Sequence, residues 1–180
     1  TPALPRLFYD GGRLTLDPQL ELDASHLPES IHTMARQNWW RKDRSVQDVN
    51  LWYRPLDWET EKESIYLAAR EEAWRTTHGT ELAFDGEGFL HDAKEHLSRS
   101  PWGVTVAMSG DEFAGLLQLD TQRYQELNAG YIPFCYIAPS RREQNLGVQL
   151  IGQAVSFFRP LGRDKLRLRC APYNDRAQHF

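Results

Sequence analysis

Residues 139–150, Pro-Ser-Arg-Arg-Glu-Gln-Asn-Leu-Gly-Val-Gln-Leu, concentrate guanidinium, amide and small groups between two apolar runs. The run before them, residues 130–138, reads as a strand, and the run after, residues 148–158, reads as a helix. The first N–H groups of a helix have no intrahelical acceptor and carry partial positive charge. A polar loop feeding such an end is a ready seat for a phosphate or pyrophosphate. The chemistry on offer is anion binding by backbone N–H groups, with arginine charge at the rim. Arg142 by itself reads as a surface salt-bridge former rather than a reacting group. Cys135 and Cys170 stand apart, without CxxC spacing, and read as small core residues of a protein in a reducing cytoplasm. His26, His32, His78, His91, His96 and His179 show no metal-ligand spacing, so no metal is assigned.

The elements that must position this loop follow from periodicity. Residues 50–57 predict a short strand. Residues 58–79 predict a helix, with Ile65, Ala68, Ala69 and Ala73 as its apolar stripe and Gly79 as its stop. Residues 86–100 predict a second helix, ended before Pro101. Residues 102–108 and 112–121 predict strands joined through Ser109-Gly110-Asp111. Leu146, Leu150, Ile151, Ala154, Val155 and Phe158 recur at helical spacing. Residues 165–172 predict a strand, and residues 173–180 the start of another helix. From residue 51 the order is β-α-α-β-β-β-α-β-α. Before it, residues 7–22 predict a hairpin around Asp10-Gly11-Gly12, a helix follows near residues 30–40, and residues 41–50 read as a linker. Two units result: an extension, 1–50, and a domain, 51–180.

Composition narrows the function. The chain has 180 residues, 41% hydrophobic and 26% charged, an ordinary globular balance. A formal net charge of −4 argues against a nucleic-acid partner. No apolar stretch is long enough to cross a bilayer, and no secretory signal is visible, so no membrane partner is expected.

The element order, with its strand–loop–helix junction, resembles the GNAT superfamily of N-acyltransferases. That family's cofactor motif, (Gln/Arg)-x-x-Gly-x-(Gly/Ala), falls on Arg142-Glu143-Gln144-Asn145-Leu146-Gly147, after a strand ending in Pro139. Asn145 stands where the motif has its central glycine. If that position needs positive φ, Asn is the least costly substitute; if it needs close backbone approach, Asn crowds the phosphates. A second family pattern, Asn-x-x-Ala, falls on Asn174 and Ala177. The resemblance implies an α/β (α+β) fold with a mixed, mostly antiparallel sheet flanked by helices. The family's last two strands are not found within these residues, which would leave residues 165–171 with an open edge. The hairpin or a second copy of the chain, as a homodimer, is expected to cover it.

The resemblance also implies a reaction: transfer of an acetyl group from acetyl-CoA to an amine. Residues 142–148, ending in Val148, would seat the pyrophosphate. The backbone of Tyr136 and Ile137 would receive the pantetheine arm as an added strand, and Asn174 would bond it. Asp120 and Glu126 are the candidate carboxylates that would deprotonate the amine through water. The family's tyrosine acid would fall just beyond Phe180. Trp74, Tyr124 and Tyr131 are candidates to line an acceptor pocket. The alternatives are a non-catalytic CoA-binding regulatory module and a pure interaction domain. Residues 7–27, with Asp10-Gly11-Gly12-Arg13 and Asp23-Ala24-Ser25-His26-Leu27, resemble the end of a histidine-phosphatase domain, which implies a fusion to such a domain in the parent chain. The Arg-His-Gly nucleophile motif of that family is absent, so no phosphatase activity is expected.

Overall fold

Apolar residues on both faces of three consecutive strands make the centre of the sheet. The computed structural model describes residues 7–10, 13–16 and 50–169. The strands are β1 (Leu7–Asp10), β2 (Arg13–Leu16), β3 (Trp52–Pro55), β4 (Val104–Ser109), β5 (Glu112–Asp120), β6 (Ala129–Ile137) and β7 (Lys165–Leu168). They form one sheet in the order β1-β2-β7-β6-β5-β4-β3. All neighbours are antiparallel except β6 and β7, which are parallel. Helix α1 spans residues 58–78, α2 is Gly86–Arg99 and α3 is Gly147–Phe158.

Successive strand residues face opposite sides, so Leu116 and Leu117 serve different layers. Leu117, Leu119, Ile132 and Leu166 pack against Leu150, Ile151, Ala154 and Phe158 of α3. Val104, Val106, Leu116 and Tyr136 pack against Tyr66 and Ala69 of α1 and Ala93 of α2. Each large side chain so buried contributes about 1.5–3 kcal/mol. Gly130 is required at its position, because a Cβ there would overlap the Phe158 ring.

Most of the stripe expected on α1 faces the core: Ala69 is buried, and Ile65 and Ala73 pack against the same cluster. Ala68 instead is exposed, and Tyr66 is buried. The cause is a π-helical segment, Lys62–Leu67, inside the helix. Its wider turn breaks the 3.6-residue count on which the expectation rested. The stop at Gly79 holds, with φ 69.

Two features shape the site. First, β6 pairs with β7 only over Ala129–Ile132. Beyond that, β6 continues beside β5 alone, and the two parallel strands part. The parting begins at Pro133, which has no N–H to give a ladder. There β6 also bulges: Gln118 pairs with Phe134 and Asp120 with Tyr131, so Ile132 and Pro133 both lie against Leu119. Second, β2 pairs with the other edge of β7, with Leu14 opposite Leu166. The open edge expected at β7 is thus covered by the hairpin of the same chain.

Cys135 is exposed, not a core residue. It sits on the part of β6 that β7 has left uncovered. The helix expected near residues 30–40, the linker 41–50 up to residue 49, Cys170, Asn174, Ala177 and the helix start at 173–180 lie outside the described residues.

Candidate functional site

The loop between β6 and α3 alternates in backbone conformation. Glu143 has φ 67 and Asn145 φ 58, while Gln144 and Leu146 keep negative φ. Such alternation turns successive N–H groups into one concavity, which is an anion-binding arrangement. It also answers the question that Asn145 raised: the position needs positive φ, and Asn enters that region at little cost. Leu146 is buried and anchors the loop, and Gly147 and Val148 begin α3, half-buried. The Gln144 side-chain oxygen is buried with no hydrogen-bond partner among the described residues. Tyr136 and Ile137 precede the loop on the stretch of β6 that pairs with β5 alone.

Arg142 points elsewhere. Its Nε donates to the Ile137 carbonyl at 3.1 Å, and its Nη2 meets Glu72 Oε2 of α1 at 2.8 Å. The guanidinium also lies 5.6 Å from the Tyr136 ring centre. This is the salt-bridge role read from sequence, spent on fastening α1 to the start of the loop. Burial raises the Glu72 carboxyl, but the hydrogen bonds from Arg142 and Tyr136 outweigh it and the net shift is downward. Burial, with Glu72 adding, pushes the Tyr136 hydroxyl up to about 12. Arg142→Ala should lower stability by about 1 kcal/mol, since the pair is partly exposed. A depressed carboxyl stabilises above its unfolded value of 4.5 and loses that contribution as pH falls through the lower folded value. The difference between parent and variant should therefore shrink below pH 4.5 in chemical unfolding titrations. An equal difference at pH 7 and in strong acid would remove Glu72 as the cause.

Across the sheet from α3 lies a buried polar chain that the sequence reading missed. Tyr66 Oη and Arg70 Nη2 both donate to Gln118 Oε1 at 2.7 Å. Gln118 Nε2 is then a donor to His96 Nδ1, also at 2.7 Å. That leaves the His96 proton on Nε2, facing Asp120 Oδ2 at 3.4 Å. Burial lowers the His96 pKa, which keeps the ring neutral in this arrangement. The Arg70 guanidinium stacks 4.0 Å from the Phe134 ring centre and 4.5 Å from that of Phe89. One signal could have found this chain: Gln118 is the single polar residue within Leu116-Leu117-Gln118-Leu119. Gln118→Leu should cost about 3 kcal/mol, because it strands Arg70 and His96 groups in a buried site. A loss under 1 kcal/mol in urea unfolding would show that the chain contributes little.

A model of the GNAT acetyltransferase family matches residues 39–180. The chain belongs to the GNAT acetyltransferase family. With membership comes the family's reaction, acetyl transfer from acetyl-CoA to an amine. A search of curated proteins gives no match. Among solved structures, a GNAT-family acetyltransferase from Staphylococcus aureus Mu50 superposes with a TM-score of 0.58 at 13% identity, over 73% of this chain and 80% of that one. The PaiA N-acetyltransferase of Thermoplasma acidophilum, in complex with coenzyme A, gives 0.55 at 16% identity, over 72% and 84%. A GCN5-related N-acetyltransferase from Ralstonia eutropha JMP134 gives 0.54 at 21%, over 72% and 89%. At these identities the likeness speaks for the fold.

In this GNAT chain the two carboxylates expected as a base lie at the β5–β6 connection, at the opposite end of β6 from the 142–148 loop. Asp120 is engaged. Its Oδ1 accepts from the Gln122 and Arg123 N–H groups at 2.9 and 3.1 Å and faces Arg99 at 3.3 Å. Burial raises its pKa, but the two N–H groups, His96 and Arg99 bring it below the ordinary value. Glu126 is exposed on the turn Gln125–Leu127. The Tyr124 and Tyr131 rings meet edge-on at 5.4 Å, beside the gap. Trp74 packs instead with His78, Phe84 and Phe89 at the α1–α2 corner. His91, Asp92 and Glu95 lie exposed on α2, with their ligand atoms within 4.8 Å of one another.

Proposed function

We propose that the gap between β6 and β7 holds acetyl-CoA. The pyrophosphate lies on the N–H groups of residues 142–148, Asn174 bonds the pantetheine region, and the arm runs along Tyr136 and Ile137 as an added strand. The observation that carries this reading is the alternating loop at the start of α3, directly after a strand with one free edge. The PaiA structure, solved with coenzyme A, supports it through the shared fold. N–H groups of the free β6 edge, from Phe134 onward, would polarise the thioester carbonyl; Pro133 has none to offer. The amine nitrogen attacks the acetyl carbon, the C–S bond breaks, and the thiolate leaves with its electron pair and takes up a proton. The amine proton goes through water to a carboxylate. Asp120 has its oxygens committed, so Glu126 is the better placed of the two to accept it, and Asp120 acts by shaping the 121–125 turn.

Residues 51–180 form the transferase domain in this reading, and residues 1–50 an extension whose hairpin completes the sheet. The likeness of residues 7–27 to a phosphatase end draws no support from the comparisons. No helix among the described residues is long and apolar enough to cross a membrane. We place the reaction in the cytoplasm, on the isolated cysteines. Thiol release from acetyl-CoA over a panel of amines tests the function. Binding of acetyl-CoA without release for any amine would favour the regulatory-module alternative.

A further inference from the structure

The sheet face opposite α3 gathers three arginines at the mouth of the gap. Leu166 and Leu168 join the cluster beneath α3, so Arg167 between them falls on the other face. Its partner across the parallel ladder is Tyr131. The Arg167 guanidinium lies 4.6 Å from the Tyr124 ring centre. That of Arg123 lies 4.9 Å from Tyr131 and 5.2 Å from Tyr124. Arg169 Nη2 donates to Tyr124 Oη at 3.1 Å. Three cations therefore surround one tyrosine. Tyr124 itself is held at φ 62, a conformation that is unfavourable for a bulky side chain. The flanking turn is fixed by the Asp120 carboxylate.

No carboxylate pairs with Arg123, Arg167 or Arg169 among the described residues. Arg54, Arg99, Arg141 and Arg142 each have one. Arg70 is different again, committed to Gln118 and Tyr66. Like charges this close repel one another, and in a chain with net charge −4 the cluster is no reflection of a generally basic surface. Arg167 is half-buried, while Arg123 and Arg169 are exposed and within reach of a ligand. The position matters as much as the charge. The α3 loop holds the cofactor end of the gap, and β6 and β7 part just beyond Tyr131 and Arg167. The opposite face is what remains for the second substrate, and Tyr124 and Tyr131 line it.

We propose that the acceptor is an amine that also carries a carboxylate or phosphate, which Arg123, Arg167 and Arg169 hold while the nitrogen faces the thioester. This rests on the acetyltransferase reading above. Guanidinium forks match both anions by paired hydrogen bonds, and the tyrosine rings give the cations a rigid backing. A polycationic acceptor would meet repulsion here.

The test uses matched pairs with the full chain: β-alanine against its amide, and phosphoethanolamine against ethanolamine, with thiol release as readout. At least one anionic member should exceed its neutral partner in kcat/KM, and which pair does so separates carboxylate from phosphate. Arg167→Ala should raise KM for that amine roughly 10- to 100-fold. In Arg167→Ala/Arg169→Ala the preference within the pair should fall towards one. Circular dichroism checks that both variants fold, and Arg169→Ala alone, at an exposed position, serves if the double variant does not. Neutral partners used as well as anionic ones would overturn the inference and leave the transferase reading standing. So would a rise in KM for acetyl-CoA in place of the amine, which would assign the arginines to the cofactor. Failure of every amine to release thiol sinks the transferase reading, and this inference with it.

Discussion

Gly147→Glu should abolish measurable acetyl-CoA binding while leaving the protein folded, and the apo form at least as stable as the parent. The two effects have opposite signs for one physical reason. Gly147 is the first residue of α3, where N–H groups without intrahelical partners carry partial positive charge. A carboxylate there complements the helix end and stabilises it by about 0.3–1 kcal/mol. The same carboxylate occupies the place that a pyrophosphate would take, and repels it. The expected loss is roughly 100-fold or more in affinity, about 3 kcal/mol. Asn145 supplies the control. Asn145→Gly keeps the positive φ and should bind nearly as well, whereas Asn145→Val forces a β-branched residue into that region at about 1–2 kcal/mol or more. Acetyl-CoA titration calorimetry with parallel thermal melts reads all of this. A folded Gly147→Glu protein that binds like the parent would mean that the loop is only a connection.

The parts of this protein that were legible in its sequence are those where one local rule dominates. Period-2 and period-3.6 patterns located β3 to β7 and the helices, and the loop was visible because polar groups sit between two apolar runs. Positive φ at Asn145 was one of two readings its sequence left open, since few residues other than Gly and Asn settle there. The failures share a different origin. The π turn at Lys62–Leu67 precedes the one stripe residue that is exposed, Ala68, and no residue type announces it. The exposure of Cys135 depends on where two strands part, a property of pairing rather than of the strand itself. Arg142 was seen, but not Glu72, seventy residues earlier, which captures it. Arg123, Arg167 and Arg169 come from a turn, a strand and the residue after it. Each is unremarkable alone, and only the parallel register of β6 with β7 brings them around Tyr124.

Removal of residues 1–50 should make the protein aggregate or self-associate. β2 pairs antiparallel with β7 through Arg13, Leu14 and Thr15, and β1 pairs with β2 through four residues. Without them β7, a four-residue strand in a twisted sheet, presents a row of open N–H and C=O groups. Leu166 sits fully buried on that strand, so the edge also lies against the core beneath α3. The consequence extends to the gap. β7 forms one wall of the splay and is held on that side by only four pairs with β6, Ala129 to Ile132. With its outer partner gone, β7 can fray, and the separation of the two strands that admits an added strand is no longer fixed. The expected result is higher-order species in light scattering at concentrations where the full chain is uniform, together with weaker acetyl-CoA binding in the soluble fraction. Adding the excised hairpin as a peptide should restore part of both, since the β2–β7 ladder is made of backbone hydrogen bonds that a strand in trans can remake. A truncated protein with the same size distribution and the same affinity as the full chain would show that the hairpin is an ornament on the sheet, and that β7 keeps its place through β6 and α3 alone.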